Sequence, residues 1–241
     1  MAEANTDGAY LHLCNHQSHA TIASGGDSHM RKIQQKMDDQ LGGLHYREFG
    51  PRLFLTGNAD RFVVGGMTAH RYQYHKKYQE LKECSAKIVI LSLGGNDLDA
   101  AIPWPEPKSM VRKIISDIFQ LYRELTVAGK TVFILEIPNR FSTRVQQLDL
   151  YEPTMRYVDR YLVKKLDNRL IRLPKRLFQF DDNFLREERY IRGELKSEYV
   201  HFKDHGYALI AQYCLDHIYN DLNARSSPPS KIRPHITINP E

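Results

Sequence analysis

Cysteine is scarce in this sequence, and its pattern argues against two kinds of structural cross-link. Three cysteines occur among 241 residues. They are odd in number, widely spaced and without a Cys-x-x-Cys pair, so we expect neither a disulfide framework nor a structural zinc site. Cys14, His16 and His19 lie close together, but a second ligand pair at zinc-finger spacing is missing. The sequence therefore predicts no metal site, and its few cysteines fit a reducing compartment.

Long apolar runs are also missing. The longest, such as IVILSL, have the length of a strand, whereas a membrane span needs about 20 apolar residues. The opening residues MAEANTDGAY do not pass from a basic start into an apolar stretch, so no secretory signal is visible. We therefore expect a soluble, intracellular protein. Its net charge of +5 favours acidic partners such as nucleic acid or anionic lipid headgroups, without establishing them.

Composition and patterning indicate one folded domain of the α/β class. Hydrophobic residues make up 41% of the chain and charged residues 26%, which excludes wholesale disorder and allows one sizeable core. We predict a domain over residues 20–224, a lead-in at 1–19 and a proline-rich tail at 225–241. Strands alternate with helices along that domain, as in βαβ units that form a parallel sheet covered on both faces. The predicted strands are 20–24, 62–64, 87–93, 131–137 and 177–180, and the predicted helices are 30–41, 69–84, 109–128, 153–171 and 204–222.

Four short segments combine polar residues and glycine at the ends of these elements. GGDSHM, with Ser28, follows the first predicted strand, and GGMTA, with Gly66, follows the second. GGND, with Asn96, follows the third, and EYVHFKDHGY, with His201, precedes the last helix. Open α/β sheets bind ligands in the crevice at the carboxyl ends of their strands. The pattern therefore predicts that the first three segments share one site.

The residues in these segments suit acyl transfer. A serine hydroxyl becomes a good nucleophile when a base accepts its proton, and histidine has the right pKa for that base near neutral pH. We predict Ser28 as nucleophile and His201 as base, with Glu198 folding back to orient the imidazole. The oxyanion of a tetrahedral intermediate needs fixed donors. The N–H of Ser28, the N–H of Gly66 and the side-chain amide of Asn96 can supply them.

The sequence resembles the SGNH or GDSL-type hydrolases. Ser28, Gly66, Asn96 and His201 match the four blocks for which that family is named, in the same order, and the resemblance spans about residues 20–222. It implies a three-layer α/β/α flavodoxin-like fold with a mostly parallel, five-stranded sheet. It also implies a serine esterase or acyl hydrolase without metal or organic cofactor. A short, acetyl-type ester is the default substrate, because no long acyl channel can be inferred.

The chain departs from the family pattern at two positions. His29 follows Ser28 where the family usually has leucine, and Glu198 stands where it usually has aspartate. The acid of the triad could also come from elsewhere, or a backbone carbonyl could orient the ring of His201. The GDSH variant and the basic charge are also similar to esterase domains carried by some eukaryotic retroelements.

Several nearby polar residues have structural interpretations. His205 is expected in the first turn of the last helix, with Asp204 at that helix's start. Asp97 is expected to bond neighbouring loops and hold Asn96 in place, and Asp27 to play a similar structural part. Trp104 could line an acyl pocket or anchor a half-exposed loop.

Two other functions stay open. The domain could bind nucleic acid or a partner protein with little activity, although charged helix faces are usually only solvated. The helix predicted from Pro153 carries basic residues at four-residue spacing, with tyrosines between them: Arg156, Arg160, Lys164, Tyr157 and Tyr161. A lipid-surface acylhydrolase would need an exposed apolar lid, which the sequence does not reveal.

Overall fold

Parallel strands form the centre of the molecule. The computed structural model describes residues 19–42, 52–101, 107–138, 148–173, 187–191, 194–198 and 201–226. Within them, one sheet has five strands in the order β2-β1-β3-β4-β5, and every neighbouring pair is parallel. The strands are β1 His19–Gly26, β2 Arg52–Leu55, β3 Ile88–Ser92, β4 Thr131–Leu135 and β5 Leu170–Ile171. A separate antiparallel pair consists of β6 Glu187–Ile191 and β7 Glu194–Glu198.

Helices cover both faces of the sheet. They are α1 Ser28–Gly42, α2 Ala69–Tyr72, α3 Lys76–Glu83, α4 Gly95–Ala101, α5 Pro107–Val127, α6 Leu148–Leu166 and α7 Asp204–Ser226. Along β3, Ile88 and Ile90 join the core cluster that α1 and α7 cover, while Val89 and Leu91 join the cluster under the other helices. This alternation follows from the two-residue period of a strand. The predicted three-layer α/β/α architecture is confirmed.

The second strand lies elsewhere than predicted. It is β2, whereas the predicted strand at 62–64 contributes a single parallel bridge, between Val63 and Gly26. Phe62 and Val63 are buried. They are apolar because they pack into the core from a turn, and not because they belong to a strand. β2 is an edge strand whose Phe54 is exposed. Its apolar run is only three residues long, RLFL with Arg52 at the start, and so is shorter than that of a central strand.

The helix predicted over 69–84 is two helices. Thr68 caps α2, accepting a hydrogen bond from the backbone N–H of Arg71 at 3.3 Å. His75 caps α3, its Nδ1 accepting from the N–H of Lys77 at 3.2 Å. A capping side chain accepts a hydrogen bond from one of the backbone N–H groups in the first turn, which have no partner within the helix. The break therefore follows from a histidine cap that the apolar period does not reveal.

The region after β4 also differs from the prediction. α6 begins well before Pro153 and contains it, at the loss of one intrahelical hydrogen bond. α6 ends before Asp167, whose φ of 46° lies in the left-handed region, and not near Ile171 as predicted. The fifth strand is therefore β5, paired with β4. The strand predicted at 177–180 lies outside the described residues.

The last helix runs on to Ser226, four residues beyond the predicted end at 222. Most of the lead-in at 1–19 and of the tail at 225–241 falls outside the described residues, so the proposed domain limits stay a prediction. Among the helices of the described part of the chain, none is both long and apolar enough to cross a membrane.

Candidate active site

Ser28 stands at the carboxyl edge of the sheet because β1 ends in a close backbone contact. Gly26 has a φ of 125°, and a Cβ there would lie 2.1 Å from the backbone oxygen of Ser92 in β3. Only glycine accommodates both constraints. The N–H of Asp27 then donates to that same oxygen at 3.0 Å, and α1 starts at the next residue. Ser28 is thus the first residue of a helix, where backbone N–H groups favour negative charge.

The structure brings Ser28 and His201 together across 173 positions of sequence. Ser28 Oγ lies 2.9 Å from His201 Nε2, and both side chains are partly buried. His201 immediately precedes α7, and the next residue, Phe202, is anchored in the core with 1% exposure. A hydroxyl and an imidazole nitrogen at this distance have the geometry of a nucleophile and its base.

Gly66 lies in a turn that is attached to the end of β1. The N–H of Val64 donates to the carbonyl of Gly26 at 2.8 Å, next to the bridge formed by Val63. Gly66 is exposed and has a φ of 69°, and, its chain neighbours apart, no atom of the described residues lies within 4 Å of the point where its Cβ would stand. Its backbone is therefore open to approach, in a conformation that glycine adopts readily.

Asn96 is tied to the same loop from α4. Its Nδ2 donates to the carbonyl of Met67 at 3.2 Å, one residue after Gly66. α4 starts at Gly95, three residues after the end of β3 at Ser92. The side-chain amide of Asn96 is therefore bonded to the backbone one residue after Gly66. The parts of Asn96 and Gly66 in an oxyanion hole stay predictions.

Asp97 fixes the far end of the Gly66 loop. Both of its carboxylate oxygens accept from the N–H of Ala69, at 3.0 and 2.9 Å, which anchors the start of α2. Burial raises the pKa of Asp97 to about 6, the bond from Ala69 opposes that rise, and the negative charge of Asp117 adds to it. Together with the Asn96–Met67 bond, this contact holds the segment that follows Gly66. These contacts agree with the expected bonding of Asp97 to a neighbouring loop, while its part in holding Asn96 stays a prediction.

The other acidic residues near the site also have structural contacts. Asp27 is buried, and its Oδ1 accepts from the N–H of His29 at 3.1 Å. Asp204 opens α7 and pairs with Lys36 at 3.0 Å, which lowers its pKa. His205 follows it in the first turn. These positions agree with the structural interpretations of Asp27, Asp204 and His205.

The acid predicted for the triad belongs to the separate antiparallel pair. Glu198 is the last residue of β7, and its side chain lies outside those that the structure describes, as do Trp104 and the Cys14, His16 and His19 side chains. Among the described side chains, no group of three or more His, Cys, Asp and Glu could hold a metal ion. Glu198 as the orienting acid therefore stays a prediction.

Two residues beside the site were not predicted from the sequence. His29 was noted only as a departure from the family pattern, not as a contact of His201, and Tyr207 was not noted at all. The ring of His29 is buried, with its centroid 5.1 Å from that of His201. Its Nδ1 lies 3.0 Å from Tyr207 Oη. The signal for His29 was its departure from the family's leucine. Tyr207 carried no signal, because its contact crosses between two helices far apart in sequence.

Comparison with solved structures finds the same fold in esterases and lipases. The acetyl xylan esterase AlAXEase aligns with a TM-score of 0.58 and 15% identity, over 82% of this chain and 99% of its own. A psychrotrophic esterase from a Pseudoalteromonas species, inhibited by monoethylphosphonate, aligns with a TM-score of 0.54 and 16% identity, over 84% and 98%. This chain has the fold of the GDSL-type hydrolases.

A GDSL-like lipase from Bacteroides thetaiotaomicron shares the GDSL-type fold as well, with a TM-score of 0.56 and 11% identity, over 84% of this chain and 89% of its own. No protein-family model matches the sequence, and no curated protein matches it significantly. At such low identity the likeness concerns the fold, and the retroelement-type resemblance stays a prediction.

Proposed function

We propose that the protein is a serine esterase that hydrolyses carboxylic esters through Ser28 and His201. The observation that carries the proposal is the 2.9 Å contact between Ser28 Oγ and His201 Nε2. It joins the start of α1 to the start of α7, at the sheet edge where open α/β folds bind their ligands. Esterases and lipases with the same fold support the reaction class.

The acylation step follows from this contact. Ser28 Oγ attacks the carbonyl carbon of the ester while His201 Nε2 takes its proton. The oxyanion accepts hydrogen bonds from the N–H of Ser28, the N–H of Gly66 and the amide of Asn96, each worth about 3 kcal/mol of transition-state stabilisation. The intermediate then collapses, the bond to the leaving oxygen breaks, and His201 gives its proton to the departing alcohol.

Deacylation runs through the same groups. Water gives a proton to His201, and its oxygen attacks the acyl carbon. The bond between that carbon and Ser28 Oγ breaks, the acid leaves, and Ser28 recovers its proton from His201. Glu198, in this proposal, orients the imidazole and stabilises the imidazolium. A backbone carbonyl could do the same.

A short acyl ester of acetyl type is the proposed substrate. The acetyl xylan esterase with this fold favours that choice. The rate of hydrolysis should therefore be highest for p-nitrophenyl acetate and should fall as the acyl chain of its homologues becomes longer. A profile that rises toward long chains would indicate a lipase.

The deciding experiment compares wild type with Ser28→Ala. We expect Ser28→Ala to lose turnover of p-nitrophenyl acetate and labelling by a fluorophosphonate probe, while its circular dichroism spectrum is unchanged. Ser85→Ala is the matched control, because Ser85 is an exposed serine in the same domain. Equal turnover by wild type and Ser28→Ala would contradict the esterase proposal.

A second candidate is a nucleic-acid surface on α6. Basic and aromatic side chains of this helix are exposed together: Arg156, Tyr157, Arg160, Tyr161 and Lys164. A cavity of about 250 Å³ lies beside them, between α5 and α6, and is lined by Lys108, Arg112, Pro153 and Tyr157 among others. Cations that track a backbone and aromatic rings that stack on bases are the usual elements of single-strand binding. Such a surface would agree with the retroelement-type resemblance.

Fluorescence anisotropy with a labelled single-stranded RNA tests this candidate. We expect binding that weakens with salt, and a shallower salt dependence when Arg156 and Arg160 are changed to glutamine. Ser28→Ala should bind as wild type does. Salt-independent binding, or binding that the arginine changes do not affect, would mean that the RNA does not bind through this face of α6.

A further inference from the structure

A second hydrogen bond crosses the same boundary as the Ser28–His201 contact. His29 Nδ1 lies 3.0 Å from Tyr207 Oη, and the two side chains are 1% and 0% exposed. His29 directly follows Ser28 on α1. Tyr207 lies in the first turns of α7, which begins three residues after His201. Both bonds therefore join the start of α1 to the start of α7.

The His29–Tyr207 pair also packs against the catalytic imidazole. The ring of His29 is tilted by 44° to that of His201, with centroids 5.1 Å apart. Phe202 completes the group, with its centroid 5.7 Å from His29 and 5.4 Å, edge-on, from Tyr207. A buried hydrogen bond inside a packed aromatic group fixes orientation, since any shift weakens both the bond and the packing.

The two bonds differ in what happens to them during catalysis. The Ser28–His201 bond needs the hydroxyl of Ser28. Once Ser28 carries an acyl group, Oγ has no proton to donate, and that bond is lost until the acid leaves. The His29–Tyr207 bond involves no reacting atom, so it persists in the acyl-enzyme.

We propose that His29 and Tyr207 are positioning residues that hold His201 in place while Ser28 is acylated, an inference that rests on the proposed esterase function. In that half of the cycle His201 must take a proton from water as the water oxygen attacks the acyl carbon. It then returns the proton to Ser28 Oγ as the carbon–Oγ bond breaks. Loss of the pair should therefore slow deacylation more than acylation.

Pre-steady-state hydrolysis of p-nitrophenyl acetate separates the two steps. We expect Tyr207→Phe and His29→Leu each to lower kcat by about 10- to 100-fold, the range that small misplacements of a reacting group produce. The value of kcat/KM should fall by less, so KM falls with kcat. A burst of p-nitrophenol close to one equivalent per enzyme should appear, and the acyl-enzyme should be detectable by mass spectrometry.

Two further variants test whether the residues act as a pair. The double variant His29→Leu with Tyr207→Phe should be no slower than the slower single variant, because each single change already removes the bond. His29→Asn keeps a polar group close to the position of Nδ1 and should recover part of kcat. If His29→Leu does not fold, Tyr207→Phe decides alone, since it removes one oxygen atom.

Tyr78→Phe is the matched control. It also deletes a buried hydroxyl, one that bonds Glu124 at 3.1 Å on the opposite face of the sheet. Tyr78→Phe should have a melting temperature similar to that of Tyr207→Phe, but its kcat and its burst should equal those of wild type. Equal losses of kcat and kcat/KM in Tyr207→Phe, or no loss of either, would overturn the positioning role and leave the esterase proposal intact. Absence of Ser28-dependent turnover in wild type would overturn the esterase proposal and the inference together.

Discussion

The buried carboxyl of Asp97 should make the stability of the protein depend on pH in an unusual direction. Burial raises its pKa from an ordinary 3.8 to about 6, so the folded state binds the proton more tightly than the unfolded state. Its contribution to stability is therefore complete below about pH 4 and is lost as pH rises through about 6. Each pKa unit corresponds to about 1.4 kcal/mol, so the loss is up to about 3 kcal/mol.

Asp97→Asn isolates this contribution, because asparagine does not titrate. Urea denaturation at a series of pH values from about 4 to about 7 gives the free energy of unfolding of both proteins. We expect the difference, variant minus wild type, to increase by up to about 3 kcal/mol across that series. The difference in free energy of unfolding at low pH measures the changed bonding to Ala69. The change of that difference with pH measures the titration of Asp97.

Asp204→Asn is the contrasting control. Asp204 is exposed, and its bond to Lys36 lowers its pKa, so any contribution is present at neutral pH and lost as pH falls. The difference for this variant should be small and of the opposite slope. A flat difference for Asp97→Asn, or one that decreases toward neutral pH, would refute the assignment of a raised pKa to Asp97.

Four other changes test the site and its frame. Asn96→Ala should lower kcat for p-nitrophenyl acetate by about 10²- to 10³-fold with little change in KM, as loss of an oxyanion donor does; an unchanged kcat would remove Asn96 from the hole. Gly26→Ala should unfold the protein or cost more than about 3 kcal/mol, since its Cβ would lie 2.1 Å from the Ser92 oxygen. Gly42→Ala, with no atom of the described residues within 4 Å of its Cβ position apart from its own helix and chain neighbours, should be neutral or slightly stabilising, and thermal melting of both glycine variants measures the difference. Met37→Ala should cost about 2 to 5 kcal/mol, because Met37 is fully buried between α1 and the sheet.

The sequence was most informative where a strand is central and apolar. β3 was predicted at 87–93 and lies at Ile88–Ser92, and β4 was predicted at 131–137 and lies at Thr131–Leu135. Both are buried on two faces, so their apolar runs are continuous. The edge strands β2 and β5 were missed, because β2 has one exposed face and β5 has only two residues.

Sequence patterns indicated candidate residues for the site but not the contacts between them. Glycines before Ser28 and Asn96 marked the strand ends, and these positions are where the backbone must pass closely or turn. The bonds that build the site join segments distant in sequence, as Asn96 to Met67 and Asp97 to Ala69 do. No local period encodes such contacts, so the loop that carries Gly66 could be placed only by the structure.

The histidine after Ser28 shows how a departure from a family pattern can carry information. Leucine at position 29 would need only an apolar surrounding, which Phe202 and the core around α1 and α7 provide. Histidine in the same place brings a polar nitrogen into that surrounding, and burial of a polar group is costly without a hydrogen bond. Tyr207 supplies the bond, so the two residues make sense together. For that reason Tyr207→Phe in the background of His29→Leu should cost less stability than Tyr207→Phe alone.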